Sequence, residues 1–413
     1  MVQHIAEKAK HLTASHVLSG IFLVFILYVG SAALPGFVQN TKEAYRGKST
    51  FEEYTAAVDQ QYYGMLTTDP GQTALREKGT YINLNGLMAN LLGQPMMNER
   101  VTLKNGHLAS LVSWHYSQDA IESASENIAL FAQKQLSQGK QFLFVMVPSQ
   151  ISKFEDLLPT GYTDTTNETA DILLELLSQQ GVPCLDLRET MHAEGMTQAD
   201  AYFTTDHHWK PQTGFWAYTK MLEALQQLGA IAPVDSFYTD SGNFEFVTYE
   251  KTFLGSSGKR TGIYYAGLDD SIFIRPKFDT EISVTIPERE LDLTGRYEDV
   301  GYNTEVEMDY SHPDYFNENA YGLYGWGDTS LTQWRNENAP ENAKVMLIGE
   351  SFGNIPFSLM SLYLSSADEL DMRYYSSDFA GYYASYQPDI VIMEVNVDQA
   401  VAEITTYPYF PQA

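Results

Sequence analysis

The chain has 413 residues, enough for one large core or two smaller ones, and its 44% hydrophobic and 19% charged residues form a globular balance that excludes intrinsic disorder. A formal charge of −28 argues against nucleic acid as a partner, because phosphates would be repelled. The acidity is uneven, since the first 50 residues carry five Lys or Arg against two Glu.

Val17 to Leu34 is almost continuously apolar, and at 18 residues it just reaches the length that spans a hydrocarbon core. Residues 1–40 therefore read as an N-terminal membrane anchor. A cleaved signal peptide is the alternative, because Ser31-Ala32-Ala33 has the small residues of a cleavage site. Lys8 and Lys10 before the segment put its N-terminus inside. The expectation is a single-pass protein of the cell membrane with an extracellular C-terminal domain. Residues 41–80, mixed polar and aromatic, read as a lead-in from the membrane, residues 81–400 as the main domain and 401–413 as a tail.

Ser117 to Gln138 has helical periodicity and leads into Gln141 to Pro148, an apolar run that reads as a buried strand stopped by proline. Thr169 to Gln180 predicts a helix, Val182 to Leu187 a strand, and Thr213 to Leu228 a helix entered after Pro211. The lone cysteine, Cys184, has no internal disulfide partner and is expected to pack in the core. Residues 240–330 change character, with short β-rich runs at Ser271–Ile274 and Ile282–Ile286, and read as an insertion. The alternation resumes with a strand at Lys344–Ile348, a helix at Ile355–Leu364 and strands at Met372–Tyr375 and Asp389–Val395. The expected fold is α/β, a mostly parallel sheet flanked by helices, with a β-rich insertion and an N-terminal transmembrane helix.

Two stretches carry chemistry. In Thr205-Asp206-His207-His208-Trp209, one residue separates Asp206 from His208, so a local turn brings the carboxylate to the imidazole, fixes its tautomer and leaves the other nitrogen as a base. In Gly349-Glu350-Ser351-Phe352-Gly353, Ser351 sits between the strand at 344–348 and the following helix, where a glycine-flanked turn is expected to hold a hydroxyl exposed beside helix N-terminal amides. His207 competes for the role of base, but adjacent side chains diverge, so only one of the two can face Ser351. A metal site is disfavoured, since there is no His-x-x-x-His and no cysteine pair. Arg373 is expected either to pair with a buried acid or to stand near developing negative charge. Lys259 and Arg260 form a basic loop for which phosphate or uronate binding is conceivable. The aromatics from Tyr321 to Trp326 suit core packing, with a sugar-facing wall as the alternative.

Asp206-His207-His208-Trp209, Gly349 to Gly353 and Asp371-Met372-Arg373-Tyr374-Tyr375 resemble the bacterial DHHW proteins, relatives of the alginate O-acetyltransferases with an SGNH-hydrolase-like catalytic domain. The resemblance extends loosely over about residues 80–400, with the Asp/His pair before the serine in the chain, as in the alginate-acetylating relatives. Glu350 departs from the family's usual Asp before the serine. The family pattern selects His208 as the base. The resemblance implies an exported, membrane-anchored O-acyltransferase, with acetyl the expected group, acting on a surface or secreted polysaccharide. Ser351 would be the nucleophile, His208 the base and Asp206 its orienter, while Gly353, Arg373, His207 and Trp209 are the candidates for oxyanion or substrate contacts. No cofactor or metal is expected, and a membrane-bound acyltransferase supplying the acyl group is the partner implied. The rivals are a carbohydrate esterase with the same residues and a non-catalytic glycan-binding or assembly protein.

Overall fold

The computed structural model describes residues 19–28, 31, 46 and 78–396. The chain divides after Ile82, and the sheet and candidate site lie in the unit that begins at Asn83. Among the described residues no helix is long and apolar enough to cross a membrane. The expected anchor at Val17–Leu34 falls partly outside them. Residues 19–28 of it are helical, with exposed apolar side chains from Ile21 to Tyr28. Most of the expected lead-in at 41–80 and the whole tail at 401–413 lie outside the described residues.

Helix α1 (Gln118–Ser137) starts where the Ser117 hydroxyl accepts the N–H of Ala120, and the spacing of Ile121, Ala124 and Ile128 turns one face to the core. It leads into β1 (Gln141–Val147). Helix α2 (Thr166–Gln179) precedes β2 (Cys184–Asp186), α3 (Leu187–Ala193) follows directly, and α4 (Pro211–Gln227) begins on a proline, whose fixed φ and missing N–H suit that position. Strand β3 (Phe244–Phe253), the short α5 (Ser256–Thr261) and β4 (Asp269–Pro276) come next, then β5 (Ile282–Ile286) and β6 (Leu291–Gly295). The last third holds β7 (Leu331–Arg335), β8 (Glu341–Gly349), α6 (Asn354–Met360), β9 (Leu364–Asp371), α7 (Phe379–Tyr386) and β10 (Ile390–Asn396).

Eight strands form one sheet in the order β2-β1-β10-β8-β9-β7-β5-β6. Every pairing from β2 to β9 is parallel, and every pairing from β9 to β6 is antiparallel. The sheet is therefore mixed, where a mostly parallel one was expected. Connection length explains part of this: the short turn Pro287–Glu290 joins β5 to β6, which allows a hairpin but no crossover helix. Of the β-rich stretch at 240–330, β5 and β6 extend this sheet, while β3 and β4 pair as a separate two-stranded ribbon.

Alternation along β1 builds both layers. Phe142, Phe144 and Met146 pack with Ile128 and Phe131 of α1 and Leu173 and Leu177 of α2. Leu143, Val145 and Val147 face the opposite core with Phe215 and Leu222 of α4 and Ile355 and Leu359 of α6. Phe144 is fully buried, so Phe144→Ala would cost about 3–5 kcal/mol. Three local expectations are corrected. The helix at Ile355–Leu364 ends at Met360, after which a turn leads into β9, because an apolar run does not by itself distinguish helix from buried strand. Met372 to Tyr374 form a turn after β9, not a strand. Cys184 is exposed rather than in the core, since β2 is an edge strand with an uncovered flank.

Candidate active site

The loop carrying Asp206 and His208 leads into α4 and is pinned at its base, where Tyr202 bridges Trp209 and the N–H of Lys210 donates to Ala201 O at 2.8 Å. Inside the loop, Asp269 accepts the N–H of Thr204 at 2.9 Å and both the N–H and hydroxyl of Thr205 at 2.7 Å. Gln150 Nε2 donates to Asp206 O at 2.7 Å. These bonds hold the loop backbone in place on either side of Asp206.

Asp206 Oδ1 accepts from His208 N at 3.0 Å and faces His208 Nδ1 at 2.6 Å, while Oδ2 accepts from Ser256 N at 2.6 Å. Burial works to raise the Asp206 pKa, but charge on His207 and His208 and the bonds from His208 and Ser256 outweigh it and hold the carboxyl far below the usual range. An ionised carboxylate only accepts, so the proton between the two lies on His208 Nδ1, and in the neutral imidazole Nε2 is then the acceptor. His208 Nε2 meets Ser351 Oγ at 2.8 Å. The His208 ring stacks on Tyr321, centroids 3.9 Å apart and planes 14° apart, with His207 on it at 3.8 Å. Gly255 makes room for the carboxylate, because a Cβ there would lie 2.2 Å from Asp206 Cβ.

Ser351 lies in the turn between β8 and α6, closed by Gly353 N donating to Glu350 O at 2.8 Å. The turn is covered, and Ser351 keeps only 8% of its surface. Both flanking glycines answer to Phe357: a Cβ on Gly349 or Gly353 would come 2.7 Å or 2.6 Å from its ring. Tyr321 Oη donates to Ser351 O at 2.9 Å, so one residue supports both the His208 ring and the Ser351 backbone.

The other candidates separate. Gly353 spends its N–H within the turn. His207 is the solvent-facing member of the pair, its side chain 47% exposed, with Nδ1 2.9 Å from Ser256 Oγ. Its pKa is lowered by desolvation first, with the neighbouring His208 ring, Arg100 and Arg373 adding to the shift and Asp206 opposing it. Trp209 is fully buried against Phe352 in the core, which removes it from the surface a substrate could touch. Arg373 is held by Asp371 at 2.5 Å and stands 3.8 Å from Glu350, which is its ion-pair role. Lys259 and Arg260 lie on α5, Lys259 donating to Glu318 O at 2.6 Å and Arg260 standing 3.7 Å from Glu99. Tyr324 and Trp326 are core residues whose polar tips bond Ile272 O and Val300 O. Asp206, His207 and His208 bring possible metal-ligand atoms within 4.8 Å of one another, but both His208 nitrogens and both Asp206 oxygens are already hydrogen-bonded to protein groups. No local pattern marks Gln150, Gly255 or Asp269 in the sequence, and Tyr321, expected only to pack in the core or face a sugar, instead supports His208 and Ser351.

Residues 111–243 match the ALGX family model, described as the SGNH hydrolase-like domain of acetyltransferase AlgX. That span contains Asp206 and His208 and ends before Ser351. No curated protein matches the chain. Among solved structures, Bacillus cereus PatB1 with a sulfonyl adduct superposes at a TM-score of 0.61 with 18% identity, over 76% of this chain and 99% of that one. A DHHW family protein from Eubacterium siraeum DSM 15702 superposes at 0.53 with 17% identity, over 75% and 94%. At these identities the likeness is one of fold. Residues 111–243 are thus similar to an ALGX-type SGNH hydrolase-like domain, and the fold is similar to that of a DHHW family protein.

Proposed function

We propose that this protein is an O-acetyltransferase that moves an acetyl group onto a hydroxyl of a surface or secreted polysaccharide through a Ser351-His208-Asp206 triad. The observation that carries the reading is the unbroken hydrogen-bonded chain from Asp206 through His208 to Ser351. The ALGX match supports acetyl transfer as the chemistry.

In the first half-reaction Ser351 Oγ attacks the acyl carbonyl carbon of the donor, and His208 Nε2 takes the hydroxyl proton. The tetrahedral intermediate collapses, the donor's leaving group departs with that proton, and acetyl stays on Ser351. In the second, a sugar hydroxyl attacks the acyl-serine carbonyl, His208 removes its proton, and the proton returns to Ser351 Oγ. Asp206 holds the ring and stabilises its transient positive charge. The N–H of Gly353 is engaged in the turn, and those of Ser351 and Phe352, which show no backbone partner among the described residues, would bind the oxyanion. A membrane-bound acyltransferase would present the acyl group, and the apolar segment at 17–34 would keep the domain at the outer face of the membrane.

The test incubates the protein with p-nitrophenyl acetate and a panel of surface oligosaccharides and reads acetylated sugar by mass spectrometry. Sugar acetylation lost in Ser351→Ala is the expected result. Donor hydrolysis at every acceptor concentration, with no acetylated sugar, would replace transferase by esterase.

A further inference from the structure

One buried acid beside the nucleophile has no part in the mechanism above. Glu394 interrupts the apolar strand β10, in the middle of the sheet, and is 2% exposed. The parallel register that pairs Ile348 with Met393 sets Glu394 beside Gly349, the last residue of β8. Its Oε2 accepts the N–H of Glu350, the residue before Ser351, at 3.4 Å, and a Cβ on Gly349 would stand 2.8 Å from that oxygen. Among the described residues its Oε1 has no hydrogen-bond partner. Glu350 in turn accepts the N–H of Asn396 at 3.0 Å, so the end of β10 and the turn bearing Ser351 are tied in both directions.

We propose that Glu394 is a positioning residue for Ser351, holding the Gly349–Glu350 backbone as an uncharged carboxylic acid so that Oγ meets His208. The inference rests on Ser351 being the nucleophile. A buried carboxylate with one weak donor and an unpartnered oxygen would be very costly, whereas the protonated acid is tolerated. Burial first, and the neighbouring Glu350 second, push its pKa well above the usual carboxylate range. The titratable and charged groups facing it are Glu350, Arg373, Glu369 and Tyr321, while its partner on β1 is the apolar Val145. Ionisation at alkaline pH would set two carboxylates side by side beneath the nucleophile and shift the turn.

The experiment follows labelling of Ser351 by phenylmethylsulfonyl fluoride and turnover of p-nitrophenyl acetate from about pH 5 to about pH 10 in the wild type, Glu394→Gln and Glu394→Ala. Glutamine keeps the shape and neutrality, so Glu394→Gln should label within about threefold of the wild type at neutral pH and lack its alkaline decline. Glu394→Ala should label about tenfold more slowly, with kcat reduced and KM little changed. The same alkaline limb in Glu394→Gln and the wild type, or a Gln variant as slow as Ala, overturns the proposal. If the Ala variant fails to fold, the Gln comparison decides alone. A wild type that is not labelled at any pH removes the nucleophile assignment and this inference with it, an outcome distinct from a labelled wild type with an unchanged Gln profile.

Discussion

A Cβ on Gly214 of α4 would lie 2.6 Å from Cγ2 of Ile355 on α6, so the helix that follows the Asp206-His208 loop and the helix that follows Ser351 touch where glycine alone fits. The approach ties the two halves of the site together. Gly214→Ala is expected to force the helices apart, costing about 1–3 kcal/mol in urea unfolding and lowering kcat/KM for an acetyl ester. Unchanged stability and unchanged turnover would show that the approach does not set the site.

Ser351→Ala and His208→Ala should each lower acetyl-ester turnover by roughly a thousandfold or more, and adding Asp206→Ala to His208→Ala should cost little further, because members of one catalytic unit fail together. His207→Ala should be milder, since its ring covers His208 without facing Ser351. Steady-state kinetics of these variants checks the assignment; an inactive His207→Ala beside an active His208→Ala would transfer the base to the neighbouring residue.

Gly255→Ala tests how tightly the carboxylate is seated. The new methyl would collide with Asp206 Cβ at 2.2 Å and Cα at 2.6 Å, and the second contact is backbone that cannot swing aside. Turnover should drop about a hundredfold, with stability reduced by about 1–3 kcal/mol, read by kinetics and denaturant unfolding.

Tyr321→Phe deletes the hydroxyl that donates to Ser351 O but keeps the ring stacked on His208. It should reduce kcat about three- to thirtyfold, while Tyr321→Ala, which removes both supports, should reduce it by considerably more. Equal loss in the two variants would assign the effect to the hydroxyl alone.

Glu369 gives a stability signature. Burial raises its pKa to about 8, with Asp371 and Asp328 adding to the shift and Trp334 Nε1 opposing it. The folded protein therefore holds the proton more tightly than the unfolded chain. That contribution to stability is complete below the ordinary carboxylate range and is lost as pH rises towards about 8. Thermal unfolding across this window should show the wild type losing stability relative to Glu369→Gln; parallel curves would remove Glu369 as the cause.

The chemistry-bearing motifs and the alternating strands were legible because their signals are local. Ile282–Ile286 alternates and Gln141–Val147 is a continuous apolar run, and both appear as strands. Strand β9 was missed because Leu364 to Asp371 reads as polar, yet it is interior: Asp368 is fully buried against Arg335, and Glu369 meets Trp334. A pattern that counts apolar residues cannot see polar side chains satisfied by distant partners. The places of Asp269 and Tyr321 in the site were hidden for the same reason, because their partners there lie 64 and 30 residues away.

The sequence distances across the site also bear on how the protein matures. His208 reaches Ser351 across 143 residues, and Ser256 reaches Asp206 across 50. Such loops close at an entropic cost before any contact rewards them, which makes them slow to form. Reactivity of Ser351 towards a sulfonyl fluoride should then rise late in refolding, after helical ellipticity has returned, so that this one hydroxyl reports completion of the native topology.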